Sequence, residues 1–190
     1  KLNPSLADGF NNLGTVLKDQ GKLNSAINAF KKAVTFNPNS AEAHNNMGST
    51  FQEQGKLKKA IEAYSKALKL KPSYTTAYYN MGNALKKQGK FDKAIKAYRN
   101  ALSLKPDLSA AYNNTGNIFK DQGKEEEAIE AYSKALSLKP DHVVARSHRF
   151  YLQASICDWK AVEEDRSLLP ELGIAGDAIS PFSVLALEDA

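Results

Sequence analysis

Along residues 5–140 the apolar positions fall into two alternating blocks, each with the spacing of one helix face. From Lys58 to Lys71, the residues Ala60, Ile61, Tyr64, Ala67 and Leu68 share a face. In the block before it, apolar or small residues stand at Ala43, Met47, Gly48 and Phe51. Between the blocks lies Gln54-Gly55-Lys56, where glycine suits the left-handed backbone that closes a helix. The pattern predicts two antiparallel amphipathic helices joined by a tight turn, and it recurs. Prolines stand 34 residues apart at Pro4, Pro38, Pro72, Pro106 and Pro140. With the same period come Gly14, Gly48, Gly82 and Gly116, then Gly21, Gly55, Gly89 and Gly123. An alanine (Ala26, Ala60, Ala94, Ala128) and an aromatic (Phe30, Tyr64, Tyr98, Tyr132) follow in each unit. A fixed period of this size points to stacked supersecondary units without a single central core.

The residue after each proline (Ser5, Asn39, Ser73, Asp107, Asp141) is of N-capping type and is expected to start the first helix of its unit. Proline before it ends the preceding helix, because it lacks an N–H and clashes with the turn behind it. Gly48 and Ala60 are expected where two helices approach closely. A helical glycine costs roughly 0.8–1.0 kcal/mol relative to alanine. Its return at one position in four units means that close packing outweighs that cost.

His44-x-x-Met47-Gly48-x-x-Phe51, followed by Ala60-x-x-x-Tyr64 and Pro72, resembles the tetratricopeptide repeat in spacing and residue type. Tyr78-x-x-Met81-Gly82-x-x-Leu85 and Tyr112-x-x-Thr115-Gly116-x-x-Phe119 repeat it. The resemblance implies an all-α fold, a right-handed α-solenoid whose first helices line a concave groove and whose second helices form the outer wall. The expected organisation is the end of a preceding repeat at 1–4 and four repeats at 5–38, 39–72, 73–106 and 107–140. Divergent capping or junction helices follow at 141–169, then a loop and the start of a linker helix at 170–190, leading towards a further domain. The chain reads as a piece of a longer solenoid.

Within the first helices, the eighth residue after each proline lies about 200° from the packing glycine and is expected to face the groove. That residue is asparagine each time: Asn12, Asn46, Asn80 and Asn114. Adjacent Asn11, Asn45 and Asn113 are expected to widen the stripe, and Asn83 and Asn117 to extend it. Asparagine is a weak helix former, but its amide both donates and accepts. A row of such amides suits an extended peptide backbone, so the expected partners are protein or peptide segments held in this groove. A lysine-and-arginine clamp for a terminal carboxylate is not expected, because the positions it would need hold Asp8, Asn11, Glu42, Asn45, Thr76 and Tyr79.

After Pro140 the pattern departs: Phe150 stands at the packing-glycine position, Cys157 at the turn-glycine position, and His148 where the asparagine row would continue. The segments Ile156-Cys157-Asp158-Trp159 and Ser180-Pro181-Phe182-Ser183-Val184-Leu185-Ala186-Leu187 resemble the junction in O-linked N-acetylglucosamine transferases and their SPINDLY-like relatives. That resemblance implies that the array recognises substrate proteins through its asparagines for a sugar-transfer domain outside these residues. The stretch itself is then not an enzyme. A generic scaffold unrelated to glycosyl transfer is the alternative. Phe182, Val184, Leu185 and Leu187 are expected to pack on the solenoid or on a second copy.

Charge and composition modify this only slightly. Residues 1–140 carry 22 Lys and Arg against 12 Asp and Glu, whereas residues 141–190 carry 4 against 9. The lysines are expected mainly on outer faces and turns, and nucleic-acid binding is not expected, since the aromatics occupy packing positions. The single cysteine, Cys157, excludes an intramolecular disulfide and fits a reducing, cytoplasmic setting. No run of 18 apolar residues is present, so no membrane span is expected. His44, His142 and His148 lack metal-ligand spacing, each glycine of the pattern is structural, and no cofactor or catalytic residue is expected. Trp159 is expected to be a packing anchor.

Overall fold

The computed structural model describes residues 3–158 together with Lys160 and Val162. Among the described residues it is all-α, with no strand. The helices are α1 (Pro4–Asp19), α2 (Leu23–Phe36), α3 (Ala41–Glu53), α4 (Leu57–Leu70), α5 (Thr75–Lys87), α6 (Phe91–Leu104), α7 (Ser109–Asp121), α8 (Glu125–Leu138) and α9 (Val143–Ser155). They belong to two compact units: α1–α6 lie in Lys1–Pro106, and α7–α9 in Asp107–Ala190. Trp159, Phe182, Val184, Leu185, Leu187 and the expected loop and linker helix at 170–190 lie outside the described residues, as does most of 159–169.

Each hairpin closes in the same way. The Gly55 N–H donates to the Gln52 carbonyl at 3.0 Å and the Lys56 N–H to the Phe51 carbonyl at 2.9 Å, with Gly55 at φ +72°. This crossed pair satisfies the last carbonyls of α3 and needs a left-handed residue between its two bonds. Cys157 ends α9 with the same pair, its own N–H reaching Ala154 and that of Asp158 reaching Gln153, and it does so at φ 58°. A cysteine has taken the conformation that glycine holds elsewhere.

Inside a hairpin, the packing glycine leaves room for a ring. A Cβ on Gly82 would stand 2.5 Å from Tyr98 Cε1, and one on Gly48 would stand 2.7 Å from Tyr64 Cε1 and 3.2 Å from the Ala60 carbonyl. The expected close approach at Gly48 and Ala60 is present, and the tyrosine ring is what fills it. Tyr64, Tyr98, Tyr132 and Phe30 are accordingly among the largest fully buried side chains. In the divergent last helix, Phe150 is itself buried, edge-on to Tyr151.

The start of the first helices corrects the sequence expectation. Asn39, Ser73, Asp107 and Asp141 precede the cap, and Ser5 lies inside α1, where Asn3 is the cap. The capping residues are Ser40, Tyr74, Leu108 and His142. The reason is a β-turn. Ser40 N–H donates to the Asn37 carbonyl, Tyr74 to Lys71 and His142 to Lys139, each at 3.1 Å. Proline therefore occupies the second residue of a four-residue turn, a position its fixed φ favours, and the residue after it completes the turn. Ser40 Oγ then accepts from Ala43 N–H at 3.2 Å, and His142 Nδ1 from Ala145 N–H at 3.3 Å.

In the first unit, successive hairpins meet through the second helix of one and the first of the next, α2 on α3 and α4 on α5. Successive first helices also touch, α1 with α3 and α3 with α5, and no equally extensive contact joins α2 to α4 or α4 to α6. The first helices therefore form the closer-packed, inner side of this unit.

Candidate functional site

The asparagines of α1, α3 and α5 form one hydrogen-bonded network. Asn46 Nδ2 donates to Asn11 Oδ1 at 3.1 Å, and Asn80 Nδ2 donates to Asn45 Oδ1 at 3.3 Å. Asn45 Nδ2 reaches Asn46 Oδ1 at 3.4 Å, and Asn11 Nδ2 donates to Glu42 Oε1 at 2.9 Å. Each asparagine–asparagine link between helices runs from the eighth residue after one proline back to the seventh after the previous one. Such a link exists only because the first helices are close neighbours on the inner side.

This geometry separates two rows that look alike in sequence. Asn11, Asn45 and Asn113 are buried, at 7%, 5% and 9% exposure. The expectation that they widen an open stripe is corrected: their amides are covered, and those of Asn11 and Asn45 bond between neighbouring first helices. Asn12 is exposed, and Asn46, Asn80 and Asn114 are half-buried, so this second row still borders solvent. Asn46 and Asn80 each commit an N–H to the neighbouring hairpin, which holds the amide plane in one orientation. Each amide has two N–H groups and two acceptor lone pairs, so capacity remains for a ligand on the open side of Asn46 and Asn80.

Asn83 and Asn117 turn towards the second helix. Asn83 Oδ1 accepts from the Tyr98 hydroxyl and Asn117 Oδ1 from the Tyr132 hydroxyl, both at 2.7 Å. In the hairpin of α3 and α4 the same link runs from the Tyr64 hydroxyl to Gln52 Oε1 at 3.2 Å. Burial pushes the Tyr64 and Tyr132 hydroxyls far above their ordinary pKa, so both remain protonated donors. In the second unit Asn117 Oδ1 also meets His148 Nδ1 at 3.1 Å, and the His148 ring lies 5.5 Å from that of Tyr132. Burial holds the His148 imidazole below its ordinary pKa, so the neutral ring donates through Nδ1. These polar links inside the repeat were not evident beforehand. Their signal is a tyrosine hydroxyl that must find a partner once its ring fills the space left by glycine.

Among the described residues, no group of three or more His, Cys, Asp and Glu side chains is placed to hold a metal ion. No helix among them is long and apolar enough to cross a membrane.

Comparison with known proteins agrees with this geometry. Residues 14–55 and 48–89 match the TPR repeat, and residues 75–108 and 109–142 match the tetratricopeptide repeat. No curated protein matches the chain. Among solved structures the chain is similar to a MamA protein, with 28% identity and a TM-score of 0.71, over 80% of this chain and 86% of that one. It is also similar to MamA from Desulfovibrio magneticus RS-1, with 23% identity and a TM-score of 0.80, over 91% of this chain and 97% of the other. PilF of Pseudomonas aeruginosa shares 23% identity and a TM-score of 0.78, over 94% and 80% of the two chains. The last two likenesses concern the fold. Repeat spacing, glycine-and-tyrosine packing and family matches coincide over the same residues, and the chain belongs to the tetratricopeptide repeat family.

Proposed function

We propose that this chain is a protein-interaction scaffold that holds an extended peptide along the inner side of its first helices. Asn12, Asn46 and Asn80 serve the first unit, and Asn114 stands at the corresponding position of the second. The observation that carries the reading is the pairing of amides from successive first helices. It fixes one solvent-bordering amide in each of the second and third hairpins, Asn46 and Asn80, each able to donate to a peptide carbonyl and accept from a peptide N–H. Such contacts read the backbone and tolerate varied side chains. Asn12→Ala is the informative variant, since Asn12 is exposed and its replacement is expected to leave the fold unchanged. Combined with Asn80→Ser, it should weaken a display-selected peptide at least 10-fold. Unchanged affinity, with unchanged circular dichroism, would remove the reading.

A finer reading, substrate recognition for an O-linked N-acetylglucosamine transferase-like enzyme, is supported by the sequence resemblance at residues 156–159 and 180–187. None of the relatives named above is named as a glycosyltransferase. Its test is the sequence encoded after residue 190: a glycosyltransferase region supports it, and unrelated non-catalytic sequence ends it.

A further inference from the structure

The second helices of the first unit differ from the first helices in charge. Across α2, α4 and α6 there are 9 Lys and Arg against 2 Asp and Glu; across α1, α3 and α5 there are 3 against 4. On this basic side lies a cavity of about 540 Å³ between α2 and α4, floored by α3. Val34, Met47 and Phe51 give it an apolar lining, and Lys31, Lys59 and Lys66 bring three ammonium groups to it. Among the described residues none of these three lysines forms an ion pair. Lys59 Nζ stands over the Phe51 ring, 5.9 Å from its centroid.

His44 also lines the cavity, and it is the residue that departs from the repeat. The corresponding positions elsewhere carry Phe10, Tyr78 and Tyr112, all larger. His44 is 6% exposed, and its Nδ1 is buried without a hydrogen-bond partner. Burial holds the imidazole below its ordinary pKa, against the raising effect of the Pro38 carbonyl and with a smaller lowering from Lys66. The ring is therefore neutral, and it leaves open the space that the larger rings fill in the other hairpins.

We propose that this cavity is a second binding site, on the outer side of the first unit, for an acidic peptide segment anchored by an apolar side chain. The apolar side chain enters between Val34, Met47 and Phe51, and its flanking carboxylates meet Lys31 and Lys66. The Glu62 carboxylate supplies an acceptor for a backbone N–H group, which a peptide carries beside its carboxylates. A nucleic acid fits less well, because base stacking needs an open aromatic face and Lys59 covers that of Phe51.

The test is fluorescence anisotropy on the whole chain with fluorescein-labelled Glu-Asp-Leu-Phe-Glu-Asp, at 50 and 300 mM salt. His44→Tyr installs the ring found at Tyr78 and Tyr112 and fills the cavity without a residue type foreign to the repeat. It should weaken binding at least 10-fold at both salt concentrations. Lys31→Glu/Lys66→Glu, which changes exposed side chains only, should weaken binding at least 10-fold at low salt. No binding by the parent chain, or binding unaffected by both variants, would overturn the proposal. So would loss of binding in Asn12→Ala alone, or equal capture of an oligouridine of the same charge.

Discussion

Two seams hold the first unit together, and they work by different physics. Within a hairpin the seam is steric: Gly48 and Gly82 leave space that the Tyr64 and Tyr98 rings fill. Between hairpins the inner edge is polar, an amide network from Asn11 through Asn46 and Asn45 to Asn80. A steric seam is satisfied only by its own partner. A polar seam satisfies part of each amide's capacity and leaves the rest directed at solvent, so the same residues that space the hairpins can also meet a ligand. On the proposed function, cohesion and recognition share the row that contains Asn46 and Asn80.

The comparison can be broken most directly at the steric seam. Gly82→Val should lower stability by about 3 kcal/mol in urea unfolding, because even a Cβ there meets Tyr98 at 2.5 Å. A loss below about 1 kcal/mol would show that the tyrosine ring moves aside at little cost. At the polar seam the effect should be smaller and unequal between the rows. Asn45→Ala strands the Asn80 donor and should cost about 1–2 kcal/mol, while exposed Asn12→Ala should stay within about 0.5 kcal/mol. Equal costs would contradict the division of the two rows.

The closing turn of α9 sharpens the picture in the stabilising direction. Cys157→Gly should add about 1 kcal/mol, because glycine holds the φ of 58° without strain; a destabilised variant would mean that the thiol side chain packs usefully. The smallest effect concerns pH. Burial lowers the pKa of His148 below its ordinary 6.5, so the unfolded chain binds its proton first as pH falls. The contribution of His148 is therefore complete above pH 6.5 and is lost as pH drops through the lower, folded value. Melting temperatures measured from pH 7.5 to 5 should decline less steeply in His148→Asn, and an identical slope would exclude His148 as a source.

Most of the helix pattern was legible in the chain, because Pro, Gly and aromatic residues recur with the period of the hairpin they build. The starts of α3, α5, α7 and α9 lie one residue later than the sequence suggests, since a capping-type residue after proline looks like a cap while its backbone is completing a turn, as at Ser40. The asparagine rows were harder. Asn45 and Asn46 differ by one step around a single helix, and which of them is buried depends on where the next hairpin lies. Single-helix geometry contains no such information. His44 lacks metal-ligand spacing to the other histidines, and its departure from Phe10, Tyr78 and Tyr112 is the sign of a cavity in the sequence.

In the proposed function the solvent-bordering amides are the ones that meet a peptide. The direct measurement is an NMR titration of the ¹⁵N-labelled chain with a display-selected peptide, following the side-chain NH₂ signals of asparagine. The signals of Asn12, Asn46 and Asn80 should shift saturably while that of buried Asn113 stays in place. A peptide that binds without moving the first three would contradict the account.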